Sequence, residues 1–240
     1  MKLYKALQSQ GFGSRKGCVA RVRAGAVEVN GVLCDNPEAE VDPTGLELTL
    51  DGVTWPYREK AYVLMHKPAG YECSRHPSHH LSVFSLLSPE LLQRGVQCVG
   101  RLDQDTTGLL LFSDDGQFIH RMISPKKGVA KVYRAGCADP ISEAMLEALR
   151  TGVQLNDEPA PIAVLACEPI DSHTLRLSLS EGKYHQVKRM IAATGNRVDS
   201  LHREAIGNYA LPATLPPGAW CWLEDYDLKQ LEQPWLSVMS

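Results

Sequence analysis

The side chains best suited to chemistry lie in one short loop, residues 100–108, with the sequence GRLDQDTTG. The loop holds two carboxylates two residues apart, Asp103 and Asp105, together with Arg101 and two threonine hydroxyls. A carboxylate placed in this way can act as a nucleophile or as a general base. The same residues could instead cap a turn, with Arg101 paired to one aspartate, because aspartate is common in turns. The loop is the leading candidate in the chain for an active site.

Two apolar segments would position this loop. Residues 96–99 (VQCV) precede it, and residues 109–112 (LLLF) follow it before the turn at residues 113–116. Short apolar runs bounded by turn residues are typical of buried strands. The sequence therefore predicts two neighbouring strands that present a polar loop at one end.

The longer string GRLDQDTTGLLLFSDDG resembles the signature of the RsuA-like family of RNA pseudouridine synthases. That signature reads GRLD, a short polar run, TGL, apolar residues and a T/S-D-D/N-G turn. The resemblance implies that Asp103 is the catalytic carboxylate. On chemical grounds we assign Arg101 to the phosphate of the nucleotide that leaves the RNA helix.

Three further motifs extend the resemblance along the chain. The sequence KVYRA at residues 131–135 resembles the family's K-x-Y motif, which implies that Tyr133 stacks on the extruded base. Lys131 lies in a stretch without acidic residues, 117–134, that would suit RNA phosphates, although solvated charge explains it equally well. The sequence LHREAIG at residues 201–207 resembles another family strand and adds Arg203 as an RNA-binding residue.

The third motif is GKYHQVKRM, residues 182–190, which resembles the family's G-x-x-H-Q-[IV]-[KR] pattern before a helix. The resemblance implies that Lys188 pairs with Asp103. Arg189 is adjacent, but neighbouring side chains on a helix point about 100° apart, so only one of the two can face the aspartate. We therefore assign Lys188 to the catalytic site and Arg189 to RNA binding.

The N-terminal residues form a small basic region in an otherwise acidic chain. Residues 1–31 contain six basic residues and one acidic residue, whereas the whole chain has a net charge of −3. The pattern predicts a helix containing Leu3 and Leu7, a second helix from Arg15 to Ala24, and a hairpin at Asn30-Gly31. With the string SRKGCVARVRAGAVEVNG, this order resembles the S4 RNA-binding domain.

The S4 resemblance implies that Arg15, Lys16 and Arg23 contact RNA, although charges on a helix face are commonly just solvated. We place the S4-like domain at residues 1–58 and the catalytic domain at residues 59–240. Strands are predicted at 62–66, 153–165 and 174–179, with helices at 117–123, 141–150 and from 186 onward. Without a regular βαβ alternation, the expected fold class is α+β with a mainly antiparallel sheet, and the family resemblance adds a central cleft that holds Asp103.

Composition excludes several other classes of protein. No apolar run is long enough to span a bilayer, and seven scattered cysteines without a C-x-x-C pair indicate free thiols, so we expect a cytoplasmic protein. Cys73, His76, His79 and His80 are zinc-binding residue types, but Pro77 and small polar residues favour a plain loop. We expect neither a metal nor an organic cofactor.

The resemblance covers nearly the whole chain and predicts a pseudouridine synthase acting on ribosomal RNA, with the small-subunit 16S RNA favoured over the 23S RNA. One carboxylate suffices for this isomerisation, as a nucleophile at C1′ or as a base for the 2′ proton. The substrate could be free RNA or a ribosomal subunit assembly intermediate, and we expect a monomer. Two alternatives stay open: a non-catalytic S4-containing RNA chaperone, and a glycoside hydrolase using Asp103 and Asp105.

Overall fold

The computed structural model describes residues 1–234, which fold into two compact units. The first unit consists of residues 1–61 and 87–97. The second unit consists of residues 62–86 and the described residues from 98 onward. Within the described part of the chain, no helix is both long and apolar enough to cross a membrane.

Two helices and a small antiparallel sheet form most of the first unit. Its elements are α1 (Leu3–Ser9), α2 (Arg15–Arg23), β1 (Val27–Val29), β2 (Val32–Leu33), β3 (Glu47–Leu50) and β4 (Val53–Pro56), and the strand order is β2-β1-β3-β4. The predicted second helix is confirmed, and the Ser14 side chain caps it by accepting a hydrogen bond from the Gly17 amide. The predicted hairpin is confirmed as well, because Asn30 and Gly31 have the positive φ angles, 50° and 78°, that a tight hairpin turn requires.

The segment 87–97 joins the first unit through hydrogen bonds to a buried amide. Its helix α3 spans Pro89–Arg94. The Arg94 guanidinium donates to the Gln10 side-chain oxygen at 2.7 Å and to the Arg58 carbonyl at 2.8 Å. Gln10 is fully buried and donates to the same Arg58 carbonyl at 3.0 Å. These bonds hold α3 against the end of α1.

A large sheet with helices packed on it forms the second unit. Its strands are β5 (Tyr62–Lys67), β6 (Tyr71–Glu72), β7 (Leu81–Ser82), β8 (Gln97–Val99, of which Cys98 and Val99 belong to this unit), β9 (Thr107–Ser113), β10 (Lys131–Cys137), β11 (Ala166–Pro169), β12 (Thr174–Leu179), β13 (Val198–Ile206), β14 (Tyr209–Ala210) and β15 (Trp220–Trp222). Its helices are α4 (Gly116–Ile123), α5 (Glu143–Thr151), α6 (Gln186–Ala193) and α7 (Asp225–Leu231), with short 3₁₀ turns at Val83–Leu86 and Pro125–Lys127. The strand order is β11-β12-β10-β13-β9-β5-β15, with β14 on β13 and β8 on β9. Neighbours along this order are antiparallel except for β9 and β13, so the predicted α+β class is confirmed.

One predicted strand is wrong. Residues 153–165 contain only an isolated bridge between Val153 and Ile162, and the regular strand β11 begins at Ala166. Pro159 and Pro161 fall within the predicted strand, and proline cannot donate to a strand ladder. The apolar pattern of this segment therefore reflects packing rather than a strand.

Four residues on adjacent strands form a row across the sheet that leads to the polar loop. Lys67 on β5 pairs with Gly108 on β9, Gly108 pairs with Arg203 on β13, and Arg203 pairs with Tyr133 on β10. Paired residues in a sheet point to the same face. Lys67, Arg203 and Tyr133 therefore share one face at the level where β9 emerges from the loop.

A register shift between β10 and β13 makes this row possible. Lys131 pairs with Ile206 and Val132 with Ala205, but Tyr133 pairs with Arg203, so that Glu204 is skipped. An extra residue of this kind re-aims the side chains that follow it. Without the shift, Tyr133 would pair with Glu204, and Arg203 would point to the opposite face of the sheet.

Gly108 allows β13 to approach β9 closely. Its φ is +108°, and a Cβ built at this position would lie 2.3 Å from the Arg203 carbonyl oxygen and 2.7 Å from the Arg203 amide nitrogen. Both obstacles are backbone atoms, which cannot rotate away. The glycine of the GRLDQDTTG loop thus serves the packing of the sheet directly beside the site.

We expect the substitution Gly108→Ala to lower the free energy of unfolding by at least about 3 kcal/mol, because it combines a backbone clash with strain at positive φ. Urea denaturation followed by circular dichroism measures this loss. Gly116→Ala is the matched control, since a Cβ there meets no atom within 4 Å and its φ is not positive. Equal stability of the two variants would contradict the close-approach interpretation.

Candidate functional site

The loop between β8 and β9 places Asp103 beside the start of α6. The ammonium of Lys188 lies 3.0 Å from Asp103 Oδ2 and 2.7 Å from Asp105 Oδ1. The Asp103 side chain is 27% exposed, so it stays accessible from a cleft. The structure therefore brings together Asp103 and Lys188, two of the residues assigned from sequence.

Arg189 points away from this pair. Its guanidinium forms an ion pair with Asp157 and donates a hydrogen bond to the Tyr184 carbonyl at 3.2 Å. This arrangement agrees with the expectation that only one of the adjacent basic residues can face Asp103.

His185 is a member of the site that the sequence interpretation did not assign. Its Nε2 atom lies 3.2 Å from Asp103 Oδ1, on the side of the carboxylate not used by Lys188. Its backbone is left-handed, with φ of 47°, and its ring stacks on Tyr184 with centroids 3.8 Å apart. The signal was present in the H-Q pair of the GKYHQVKRM motif, but sequence alone gave that histidine no partner.

Lys67 holds the polar loop in position from beneath. This lysine is fully buried, and its ammonium donates hydrogen bonds to the carbonyls of Thr106 at 2.8 Å, Pro68 at 3.0 Å and Gln104 at 3.2 Å. The Gly70 amide also donates to the Gln104 carbonyl at 2.8 Å. Residues 66–70 (HKPAG) therefore fix the backbone on both sides of Asp105. The sequence of this segment did not reveal that role.

Tyr133 and Arg101 line the same cleft as Asp103. Tyr133 is buried at 8% exposure on β10, whereas Arg101 is exposed in the loop. Both residues also border a neighbouring cavity that contains Lys131 and Arg203. Adjoining cavities of the second unit are thus lined by three of the four assigned catalytic residues and by two of the assigned RNA-binding residues, and the fourth catalytic residue, Lys188, contacts Asp103.

The other assigned basic residues lie on α2 in the first unit. Arg15, Lys16 and Arg23 are exposed, and the Arg15 guanidinium lies 4.9 Å from the centre of the Tyr4 ring. Lys16 and Arg23 are seven residues apart, which places them on the same side of the helix. They form a basic helix face.

The charges of the cleft stabilise one another. Burial alone would lower the pKa of the Lys188 ammonium, but its hydrogen bonds and ion pairs with Asp105 and Asp103 raise that pKa. Burial alone would raise the pKa of the Asp105 carboxyl, but Lys188 lowers it. A glycoside hydrolase needs one carboxyl group with a raised pKa to serve as a proton donor. Asp105 has the opposite shift, which disfavours that alternative.

The histidine-rich segment after β6 is organised by a carboxylate. Glu72 accepts hydrogen bonds from the backbone amides of Ser78 at 3.0 Å and of His79 and His80 at 2.9 Å. Among residues 1–234, no group of three or more His, Cys, Asp or Glu side chains is arranged to hold a metal ion.

Comparison with known proteins identifies the family. Residues 61–193 match the RNA pseudouridylate synthase family, a span that includes the loop of Asp103, Tyr133 and the whole of α6. This chain belongs to that family, and it is therefore an isomerase that acts on RNA.

Individual relatives match over nearly the whole chain. The chain is 38% identical over 238 residues to an RNA pseudouridine synthase of Bacillus subtilis (strain 168), covering 98% of this chain and 99% of that protein. It is 37% identical over 221 residues to ribosomal small subunit pseudouridine synthase A of Escherichia coli (strain K12), covering 92% of this chain and 95% of that one. A crystal structure of a pseudouridylate synthase superposes with a TM-score of 0.68 at 32% identity, covering 96% of this chain and 99% of the other.

We expect Lys67→Met to lower the free energy of unfolding by about 3 kcal/mol, because it leaves buried carbonyls without their cationic donor. Urea denaturation measures the change. Lys60→Met removes the same charge from an exposed position and is the control. If both variants keep wild-type stability, the Lys67 hydrogen bonds do not support the loop.

The free energy of unfolding of the protein depends on pH through the buried ammonium of Lys131. Burial, reinforced by the charge of Arg203, lowers the pKa of its ammonium from 10.5 to about 8. Between these two pH values the unfolded chain holds a proton that the folded chain has released, so stability rises with pH across this window. Below pH 8 both states are protonated, and the folded state carries the whole penalty, on the order of 3 kcal/mol.

The difference in free energy of unfolding between wild type and Lys131→Met isolates this effect. We expect wild type to gain stability relative to the variant from pH 8 to pH 10.5, and the difference to be constant below pH 7. Urea titrations at a series of pH values measure it. A difference that does not change with pH would contradict the buried, charged state of Lys131.

Proposed function

We propose that this protein converts a uridine of small-subunit ribosomal RNA to pseudouridine, with Asp103 as the catalytic carboxylate. The observation that carries the proposal is the position of Asp103, held between Lys188 and His185 in a cleft lined by Tyr133. The proposal takes its substrate from relatives such as the Escherichia coli protein, whose name specifies the small ribosomal subunit.

The reaction balances without any other reactant. The C1′–N1 bond of the uridine breaks, the uracil rotates while bound, and a C1′–C5 bond forms. The C5 proton is lost and N1 gains a proton, so that no electron or group is exchanged with another molecule. A carboxylate can begin this sequence by attacking C1′ or by removing the 2′ proton, and both routes need Asp103 ionised. No metal or organic cofactor takes part.

Each neighbour of Asp103 has a role in this proposal. The Lys188 ammonium stabilises the negative charge of the carboxylate inside the cleft, and the contact from His185 restricts its rotation. Tyr133 stacks on the detached uracil and keeps it from escaping, because an aromatic face binds a base without needing a fixed orientation. Arg101, exposed at the same cleft, holds the phosphate of the extruded nucleotide.

RNA binding is assigned to basic residues in both units. We propose that residues 1–58 act as an S4-like domain in which Arg15, Lys16 and Arg23 contact the RNA backbone. Lys131, Arg203 and Arg189 are the corresponding residues of the catalytic domain, residues 59–240. Contacts of this kind weaken steeply as salt rises, because each phosphate contact releases counterions.

The remaining assignments concern the setting of the reaction. We propose that the protein works in the cytoplasm as a monomer on ribosomal RNA, either free or in an assembly intermediate of the ribosomal subunit. The 23S RNA and a purely RNA-chaperoning role are the competing possibilities, and the following experiment distinguishes them.

We expect cells that lack this protein to lose one pseudouridine in 16S ribosomal RNA, and the wild-type gene to restore it. Asp103→Asn should not restore it, because an amide is neither an adequate nucleophile nor a base, and loss of such a group typically costs at least about 10⁴-fold in rate. Carbodiimide modification followed by primer extension across both ribosomal RNAs measures the outcome.

The control variant is Asp105→Asn, which removes the other carboxylate that contacts Lys188. We expect this variant to restore the modification, because Asp103 keeps its own contacts with Lys188 and His185. Full restoration by Asp103→Asn would overturn the catalytic assignment and favour the chaperone role. Loss of a site in 23S RNA instead would overturn the choice of substrate.

A further inference from the structure

The second unit buries two cations that have no anionic partner in the described part of the chain. Arg203 is 3% exposed and Lys131 is 9% exposed. Nε of Arg203 donates to the Leu109 carbonyl at 2.8 Å, but its buried Nη2 atom has no hydrogen-bond partner. Throughout residues 1–234, no carboxylate lies within ion-pair distance of either side chain, and the Lys131 ammonium makes no hydrogen bond.

Both side chains line one cavity beside the Asp103 cleft. This cavity has a volume of about 90 Å³, whereas about 10 to 15 Å³ in the same measure suffices for one water molecule. Arg101, Tyr133 and Gly182 border both the cavity and the Asp103 cleft. A small polyatomic ion in the cavity would therefore be surrounded by three cations, with no carboxylate in the lining, next to the nucleotide whose base contacts Tyr133.

The sheet is built so that these two charges share a face. The register shift that skips Glu204 turns Arg203 to the face that carries Lys131 and Tyr133. Glu204 stays on the opposite face, where it pairs with Arg134 and Arg176. A buried charge without a partner lowers stability, and an apolar side chain of similar size would fold more readily. The unpaired cations therefore call for a ligand that supplies the missing negative charge.

We infer that Lys131 and Arg203 form a subsite for a phosphodiester group of the RNA substrate, adjacent to the nucleotide on which Asp103 acts. This inference rests on the proposed function. A phosphodiester carries one negative charge shared by two non-bridging oxygens, and this pair of acceptors suits a guanidinium and an ammonium together. The carbonyl oxygens of uracil are neutral and supply no negative charge to these cations.

The test compares Lys131→Met with a matched control, Lys229→Met, which removes the same charge from an exposed position on α7. Binding of the full-length protein to 16S ribosomal RNA is measured by filter retention at a series of salt concentrations. We expect Lys131→Met to bind about ten- to a hundredfold more weakly, and the slope of log Kd against log salt to decrease by about 0.7 to 0.9. The control should keep the wild-type slope and affinity.

Thermal unfolding distinguishes a binding role from a structural one. Because the Lys131 ammonium has no ion-pair or hydrogen-bond partner among residues 1–234, we expect Lys131→Met to unfold at a higher temperature than wild type, while its RNA binding is weaker. Millimolar inorganic phosphate should raise the unfolding temperature of wild type and of Lys229→Met but not that of Lys131→Met. A lysine that served folding alone would give a less stable variant with unchanged RNA affinity.

Each contrary result overturns the inference in an identifiable way. A lower unfolding temperature of Lys131→Met, or an unchanged affinity and salt slope, would show that Lys131 does not bind an RNA phosphate. A phosphate effect on stability without any change in RNA binding would assign the subsite to the free ion instead. Pseudouridine formation by wild type is assayed on the same RNA, so a failure of the proposed function is recognised separately from a failure of the subsite.

Discussion

The position of Asp103 depends on a buried ammonium that never contacts it. Lys67 is fully enclosed at the end of β5, and it gathers the carbonyls of Pro68, Gln104 and Thr106. Carbonyl oxygens that converge in this way would repel one another without a cation between them. Because two of these carbonyls flank Asp105, the ammonium fixes the loop that presents both carboxylates to Lys188. The carboxylates of this loop then lie about 3 Å from the Lys188 ammonium on α6.

The two faces of the large sheet differ in how their charged side chains are compensated. On one face, Glu204 compensates Arg134 and Arg176, so the charges are paired within the protein. On the other face, Lys131 and Arg203 are buried beside the cleft of Asp103, and no carboxylate of residues 1–234 pairs with them. The single skipped residue between β10 and β13 decides which side chains fall on which face. A local irregularity of pairing thereby sets the charge of the cleft.

The cleft around Asp103 contains features that lower the free energy of unfolding, and the rest of the second unit must offset them. Buried cations without a carboxylate partner among the described residues oppose folding, and so does the left-handed backbone of His185. The apolar strand β9 opposes these costs, since Leu109, Leu110, Leu111 and Phe112 are all fully buried. The strand β9, which follows the loop of Asp103, thus also contributes to the hydrophobic core. The geometry of the site therefore depends on the stability of the second unit.

The sequence by itself determined the local elements and the family. The period of apolar residues, the cap at Ser14 and the turn at Asn30-Gly31 depend on neighbours along the chain, and the structure contains them. The family resemblance pointed to Asp103 and Lys188, and helix geometry added that Lys188 and Arg189 cannot both face the aspartate. Tertiary structure alone decided the contacts between distant segments. Four features depend on segments that are far apart in sequence. They are the carbonyls bound by Lys67, the contact between His185 and Asp103, the register shift at Glu204, and the membership of residues 87–97 in the first unit. The failed strand at 153–165 has the same cause, because apolar residues signal burial, whereas pairing also requires a free amide and an available neighbouring strand.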